Sequence, residues 1–148
     1  MAPYSKTVRL ILTAVFIALI GLLVLQALGY GVGFAVDPES GVKEFGYEEP
    51  TVVEDLTVAL VGLVGVGMVG IAALLVLSAI LVWRATPAGA YVAMMIGGIY
   101  VLSGLCAFRA EWWWDASFYT FTGAILIVLS AAVRWLQSRE SRANAAGS

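Results

Sequence analysis

The sequence predicts an all-α integral membrane protein folded as a four-helix up-down bundle, and composition, span length and charge distribution support this fold class. The 148 residues are 61% hydrophobic and only 12% charged, with a mean hydropathy of +0.96. A globular domain usually carries about 25% charged residues. Because so little polar surface cannot cover a water-soluble particle of this size, we expect the lipid bilayer to surround the chain.

Four long stretches of the chain lack any charged residue. About 20 helical residues cross the hydrocarbon layer, and in lipid every backbone amide needs a partner within its own helix. A barrel would instead show short strands of alternating polarity. We therefore predict a single transmembrane domain over 1–148, with spans at about 10–33, 56–83, 87–108 and 116–136, an outer loop over 34–55 and a disordered tail over 138–148.

Helix-capping residues mark three of the boundaries. Thr51 and Glu54 have the spacing of a capping box. Thr86 precedes Pro87, and proline is well tolerated at the first position of a helix. Asp115 is placed to cap the fourth span, where the helix dipole favours an anion.

The basic residues set the expected orientation. With a cytoplasmic N-terminus, the cytoplasmic side receives Lys6, Arg9, Arg84, Arg134, Arg139 and Arg142, and the outer side only Lys43 and Arg109. This excess follows the positive-inside rule. We therefore predict a multi-pass protein of the plasma or inner membrane with both termini cytoplasmic. A cleaved secretory signal ending near Ala27-Leu-Gly29 is the alternative, but the apolar run exceeds the usual length of such a signal.

Small residues in the second and third spans predict helix packing. Little hydrophobic force draws helices together in lipid, so small residues that allow close backbone approach supply much of the attraction. The short 84–86 connection predicts a tight antiparallel hairpin of these two spans. A glycine-lined ligand or oligomer surface is the alternative. The predicted packing residues are Gly62, Gly65, Ala93, Gly97 and Gly104.

The residue inventory restricts the chemistry. The chain has no histidine, and Cys106 is its single cysteine, which we expect to be a buried spectator thiol. No catalytic residue, metal site or cofactor is predicted. The scattered basic residues do not form the cationic face that nucleic acid requires. No ionisable residue lies deep in a span, which disfavours an ion-coupled transporter.

Two groups of polar residues are candidates for binding a ligand or partner. Gln26 is the costliest polar residue within a span, because its amide requires several hydrogen-bond partners. The other group would meet at the outer rim, where the alternative is a solvated collar at the level of the lipid headgroups. Its members are Glu54, Asp55, Arg109, Trp112, Trp113, Trp114 and Asp115.

The chain resembles the DoxX-like group of small four-helix prokaryotic membrane proteins. The resemblance lies in the four-span layout, the segment from Asp37 to Tyr47 with its Pro and Phe-Gly, the glycine-rich Val61–Gly67 run, and Gly97-Gly-Ile-Tyr100 with Gly104. It implies fold and topology. The group's namesake is linked to a quinone-coupled sulfur oxidoreductase, and a eukaryotic relative acts as an assembly chaperone for receptors.

The leading functional hypothesis is a non-enzymatic accessory, interaction or ligand-binding protein, although an enzyme is not excluded. One alternative is a membrane subunit of a quinone-linked redox complex, and the other is a carrier of lipids or small amphiphiles. The expected partners are the lipid bilayer and either another membrane protein or a second copy of the chain.

Overall fold

The computed structural model describes residues 3–44, 52–109 and 113–145, and the side chains of 7–40, 42, 57–109 and 113–143. These residues form five helices and no strand. The helices are α1 (Pro3–Val36), α2 (Pro38–Glu44), α3 (Val52–Trp83), α4 (Pro87–Arg109) and α5 (Trp113–Ala145). The predicted all-α helical fold is confirmed.

Four of these helices are long and apolar enough to cross a membrane. Their candidate spans are Thr7–Val36, Thr57–Trp83, Pro87–Arg109 and Trp113–Ala143, with lengths of 30, 27, 23 and 31 residues. Large apolar side chains on them are exposed, such as Leu22 and Leu25 in α1. Lipid solvates such surfaces at no cost, whereas a soluble monomer rarely exposes them in large patches. The protein is therefore a multi-pass membrane protein.

Two segments predicted to lack regular structure contain helix. Within the predicted outer loop, α2 forms one short helix, and the Asp37 carboxylate accepts a hydrogen bond from the Ser40 amide at 3.1 Å. This is the standard N-cap interaction. The predicted disordered tail is corrected, because α5 continues to Ala145. Residues 146–148 lie outside the described part of the chain.

Local contacts explain the helical tail. The Ser138 hydroxyl donates to the Trp135 carbonyl at 2.8 Å, and the Ser141 hydroxyl donates to the Gln137 carbonyl at 3.0 Å. The Arg139 guanidinium carbon lies 3.9 Å from the centroid of the Trp135 ring. The polar composition of the tail favoured disorder, but side chains one turn apart bind each other on a helix that continues directly from a membrane span.

The chain divides into two compact units. The first unit comprises residues 1–20 and 75–148, and the second comprises residues 21–74. Both α1 and α3 therefore contribute to each unit. In the first unit α4 and α5 are antiparallel, because Gly97 lies against Gly123 and Gly104 against Ala116.

A tight turn joins α3 to α4 within the first unit. Ala85 has a φ of 58°, which is the left-handed conformation that usually ends a helix at glycine. The Ala85 and Thr86 amides donate to the Val82 and Leu81 carbonyls at 2.9 and 2.8 Å. The fully buried Ser78 hydroxyl donates to the Gly89 carbonyl at 2.8 Å and links the two helices.

In the second unit, the end of α1 packs against the start of α3. A Cβ atom added to Gly65 would lie 2.5 Å from the Ala35 amide nitrogen and 2.7 Å from the Gly31 carbonyl oxygen. Since real Cβ atoms do not approach backbone so closely, only glycine fits at this crossing.

Candidate functional site

The α4–α5 junction carries the described part of the predicted rim. Arg109 is the last residue of α4, and Trp113 is the first residue of α5. The Trp113 indole meets Phe108 edge to face, with ring centroids 4.5 Å apart and an interplanar angle of 76°. Such aromatic pairs contribute about 0.5–1.5 kcal/mol beyond area burial. The contact therefore fixes the first tryptophan of the rim against α4.

The polar and aromatic groups of this junction are exposed. Trp114 is 91% exposed and Trp113 59%, and Arg109 and Asp115 are exposed as well. Within the described part of the chain Arg109 forms no ion pair. Asp115 lies in the first turn of α5 instead of capping it, since the helix already begins at Trp113.

The other predicted rim residues are only partly described. Glu54 and Asp55 lie in the first turn of α3, and their side chains are outside the described set. Trp112 lies outside the described residues. The binding role assigned to the rim therefore stays a prediction.

Gln26 lies in α1 within the second unit. Its Oε1 atom is buried and accepts no hydrogen bond from the described residues. A buried amide oxygen without a donor costs free energy in a low-dielectric environment. The structure thus places a buried polar group with an unfavourable free energy at this position. A contact of Gln26 with a ligand stays a prediction.

The predicted packing residues lie at three different helix contacts. Gly65 packs against α1, and Gly62 lies in ordinary contact with Pro38, since an added Cβ would be 3.8 Å from the Pro38 Cβ. Ala93 is fully buried in α4. Gly97 and Gly104 face α5, a partner that the sequence analysis did not specify.

Three glycines at close contacts were not singled out from the sequence. Gly31, Gly89 and Gly123 each place their backbone where an added Cβ would lie 3.0 Å or less from a neighbouring helix. Gly123 is the only glycine of the fourth span, and this isolation was an available signal. No sequence signal distinguishes Gly31. Gly29 and Gly33 lie two residues to either side of it, and both face open space.

The basic residues gather at the opposite end of the first unit, and we name Arg9, Arg84, Arg134, Arg139 and Arg142 the basic end. Arg9 Nη1 lies 2.6 Å from Glu140 Oε2, which pairs the first helix with the last. The Arg134 Nε donates to the Tyr91 hydroxyl at 3.3 Å. Sequence reasoning used these arginines only as markers of orientation.

The described residues contain no group of three or more His, Cys, Asp or Glu side chains that could hold a metal ion. The expectation of a buried Cys106 was wrong, because this residue is exposed on α4. Its thiol behaves as a small apolar group, so it is compatible with a surface that faces lipid.

Comparison of the chain with known protein families, with curated proteins and with solved structures finds no match. The resemblance to the DoxX-like group therefore stays a prediction.

Proposed function

We propose that this protein is a non-enzymatic accessory protein of the cell membrane that binds a membrane-protein partner through the rim residues Arg109, Trp113 and Trp114 at the α4–α5 junction. The observation that carries the proposal is the 91% exposure of Trp114 beside an exposed Arg109 and a Trp113 held by Phe108. Tryptophan and arginine are the residues most enriched among binding hot spots. Because the contact with Phe108 holds the Trp113 ring, this side chain loses little conformational entropy when a partner binds.

The helix packing supports a scaffold role for the first unit. A Cβ added to Gly123 would lie 2.5 Å from the Gly97 carbonyl oxygen, so the backbones of α4 and α5 touch at this crossing. Contacts this close leave no space there for a substrate. Binding at the helix ends is therefore favoured over binding between these two helices.

We also propose that the basic end faces the cytoplasm and the rim faces outward. Arg9, at the start of α1, and Glu140, near the end of α5, are in contact, so both terminal segments lie on the same side. The arginines of this end satisfy the positive-inside rule in that orientation.

Affinity purification in mild detergent tests the partner hypothesis. We expect Trp114→Ala and Arg109→Ala each to reduce recovery of the partner roughly tenfold or more, which corresponds to a loss of at least about 1.4 kcal/mol, within the range of hot-spot residues. Trp83→Ala is the matched control, because Trp83 is 72% exposed at the opposite end of the first unit.

The comparison of the tryptophans separates binding from membrane anchoring. If Trp114 only anchors the helix at the lipid interface, both tryptophan variants will recover the partner equally, which contradicts the proposal. Co-expression of two differently tagged copies of the chain tests whether the partner is a second copy. Purification of one tagged copy together with the other would identify it as such. A wild-type protein that elutes as a monomer without any stoichiometric partner also contradicts it.

A further inference from the structure

One face of α5 combines an aromatic ring with arginines that bind no carboxylate. Trp135, Arg139 and Arg142 recur at i, i+4 and i+7, so they lie on the same side of the helix. The Arg139 guanidinium carbon lies 3.9 Å from the Trp135 ring centroid, a distance typical of a cation–π contact. The stacking holds this guanidinium in place while its N–H groups remain available.

The nearby acidic group does not neutralise this face. Glu140 is the only acidic residue of α5 after Asp115, and its carboxylate is bound by Arg9 at 2.6 Å. Among the described side chains neither Arg139 nor Arg142 forms an ion pair. The face therefore keeps its positive charge for another anion.

Arg134 lies outside this face, because it is about 100° around the helix from Trp135 and is held against α4. Its Nε donates to the Tyr91 hydroxyl at 3.3 Å, and its guanidinium carbon lies 5.5 Å from the Tyr91 ring centroid. A guanidinium carries five N–H donors, so most of them remain free.

The Trp135 ring indicates the depth of this face in the bilayer. Tryptophan rings concentrate at the membrane–water interface. With a helical rise of about 1.5 Å per residue, Arg139 lies about 6 Å and Arg142 about 10 Å beyond Trp135. These rises apply to the backbone. The Arg139 guanidinium folds back to within 3.9 Å of the Trp135 ring centroid, so it lies at the depth of that ring, in the polar layer of roughly 5–8 Å on each side of a bilayer.

We propose that Arg139 and Arg142, together with the Trp135 ring, bind the headgroup of an anionic phospholipid. The forked guanidinium donors match phosphate oxygens in geometry and charge. Each arginine near a charged membrane surface contributes roughly a fivefold gain in affinity. This site is separate from the rim, so either proposal can fail without the other.

The test measures lipid retention on the full-length protein purified in detergent. Phosphatidylglycerol and phosphatidylcholine are added in parallel, and bound lipid is counted by native mass spectrometry. We expect the wild-type chain to retain phosphatidylglycerol selectively. Arg139→Ala combined with Arg142→Ala should weaken this retention on the order of 20-fold, and added salt should weaken it in the wild type.

The matched control removes two cations that belong to neither proposed site, by Lys43→Ala with Arg84→Ala, and should retain the lipid like the wild type. Arg139→Lys with Arg142→Lys keeps the charge and the helix, and should bind with intermediate affinity. Equal retention by the alanine and wild-type chains would overturn the proposal, as would equal retention of both lipids. Displacement of the lipid by millimolar glycerol phosphate would also overturn it, because the site would then recognise free phosphate.

Discussion

The α4–α5 interface and the α1–α3 interface both depend on glycine, but they differ in extent. Between α4 and α5, Gly97 and Gly104 lie seven residues apart on one helix and meet Gly123 and Ala116 on the other. Between α1 and α3, the close approach is concentrated where Gly31 meets Gly65, and Gly62 makes only ordinary contact. The first interface is therefore close over two helical turns, and the second is close at one crossing.

This difference shows how small residues are used when lipid surrounds a protein. A contact at the hydrocarbon surface gains little from the hydrophobic effect, so close packing must supply the attraction. We infer that the longer interface holds its two helices more firmly. Glycines that face open space, such as Gly98 and Gly67, provide internal controls for this inference.

The largest effect is expected for Gly123→Ala. The added Cβ would lie 2.5 Å from the Gly97 carbonyl oxygen and 2.8 Å from the Val101 amide nitrogen, both backbone atoms that cannot rotate away. We expect the free energy of unfolding in detergent to fall by about 3 kcal/mol, at the upper end for overpacking. Gly98→Ala is the control, since nothing lies within 4 Å of its Cβ position, and it should be neutral or slightly stabilising. Equal stabilities of the two variants would show that α4 and α5 are not in close contact.

A smaller loss is expected for Gly65→Ala. Its Cβ would also meet backbone, at the Ala35 amide nitrogen, but among the described glycines of α1 and α3 only Gly31 and Gly65 approach this closely, so we expect the helices to separate locally. We expect a loss of about 2 kcal/mol in the same unfolding measurement, with Gly67→Ala as the unstrained control. A loss larger than that of Gly123→Ala would reverse the comparison.

The smallest effect is expected for Ser78→Ala. Its hydroxyl donates to the Gly89 carbonyl of the next helix, whereas the equally buried Ser130 donates to Leu126 within its own helix. We expect Ser78→Ala to cost about 0.6–1.5 kcal/mol and Ser130→Ala to cost less. Equal losses would show that the hydrogen bond between helices contributes nothing specific to the hairpin.

The long apolar helices could be predicted because they depend on local composition. Uncharged length alone located the long helices, and Thr86-Pro87 located the start of α4. The partner of each glycine could not be predicted, because Gly97 faces α5 through tertiary packing and no periodicity encodes that choice. The helical tail was missed because polar residues indicate disorder unless the contact of Arg9 with Glu140 is known.

The candidate site was less accessible to sequence reasoning than the fold. The exposed Trp113 and Trp114 were identified because tryptophan is enriched at the membrane–water interface and three tryptophans follow one another at this span end. The arginine face of α5 was missed, because its availability for an anion depends on two contacts. Arg9 binds the Glu140 carboxylate, and the Arg139 guanidinium lies over the Trp135 ring. Both are contacts between side chains, and a count of charges does not contain them.

The most direct test of the central claim is whether α3 crosses the membrane from an outer to a cytoplasmic end. In a Cys106→Ala background, Asp37→Cys and Arg84→Cys are each labelled in intact cells with a membrane-impermeant maleimide. We predict labelling of the Asp37→Cys chain in intact cells and labelling of the Arg84→Cys chain only after permeabilisation. Labelling of both positions from the same side would contradict the four-span topology.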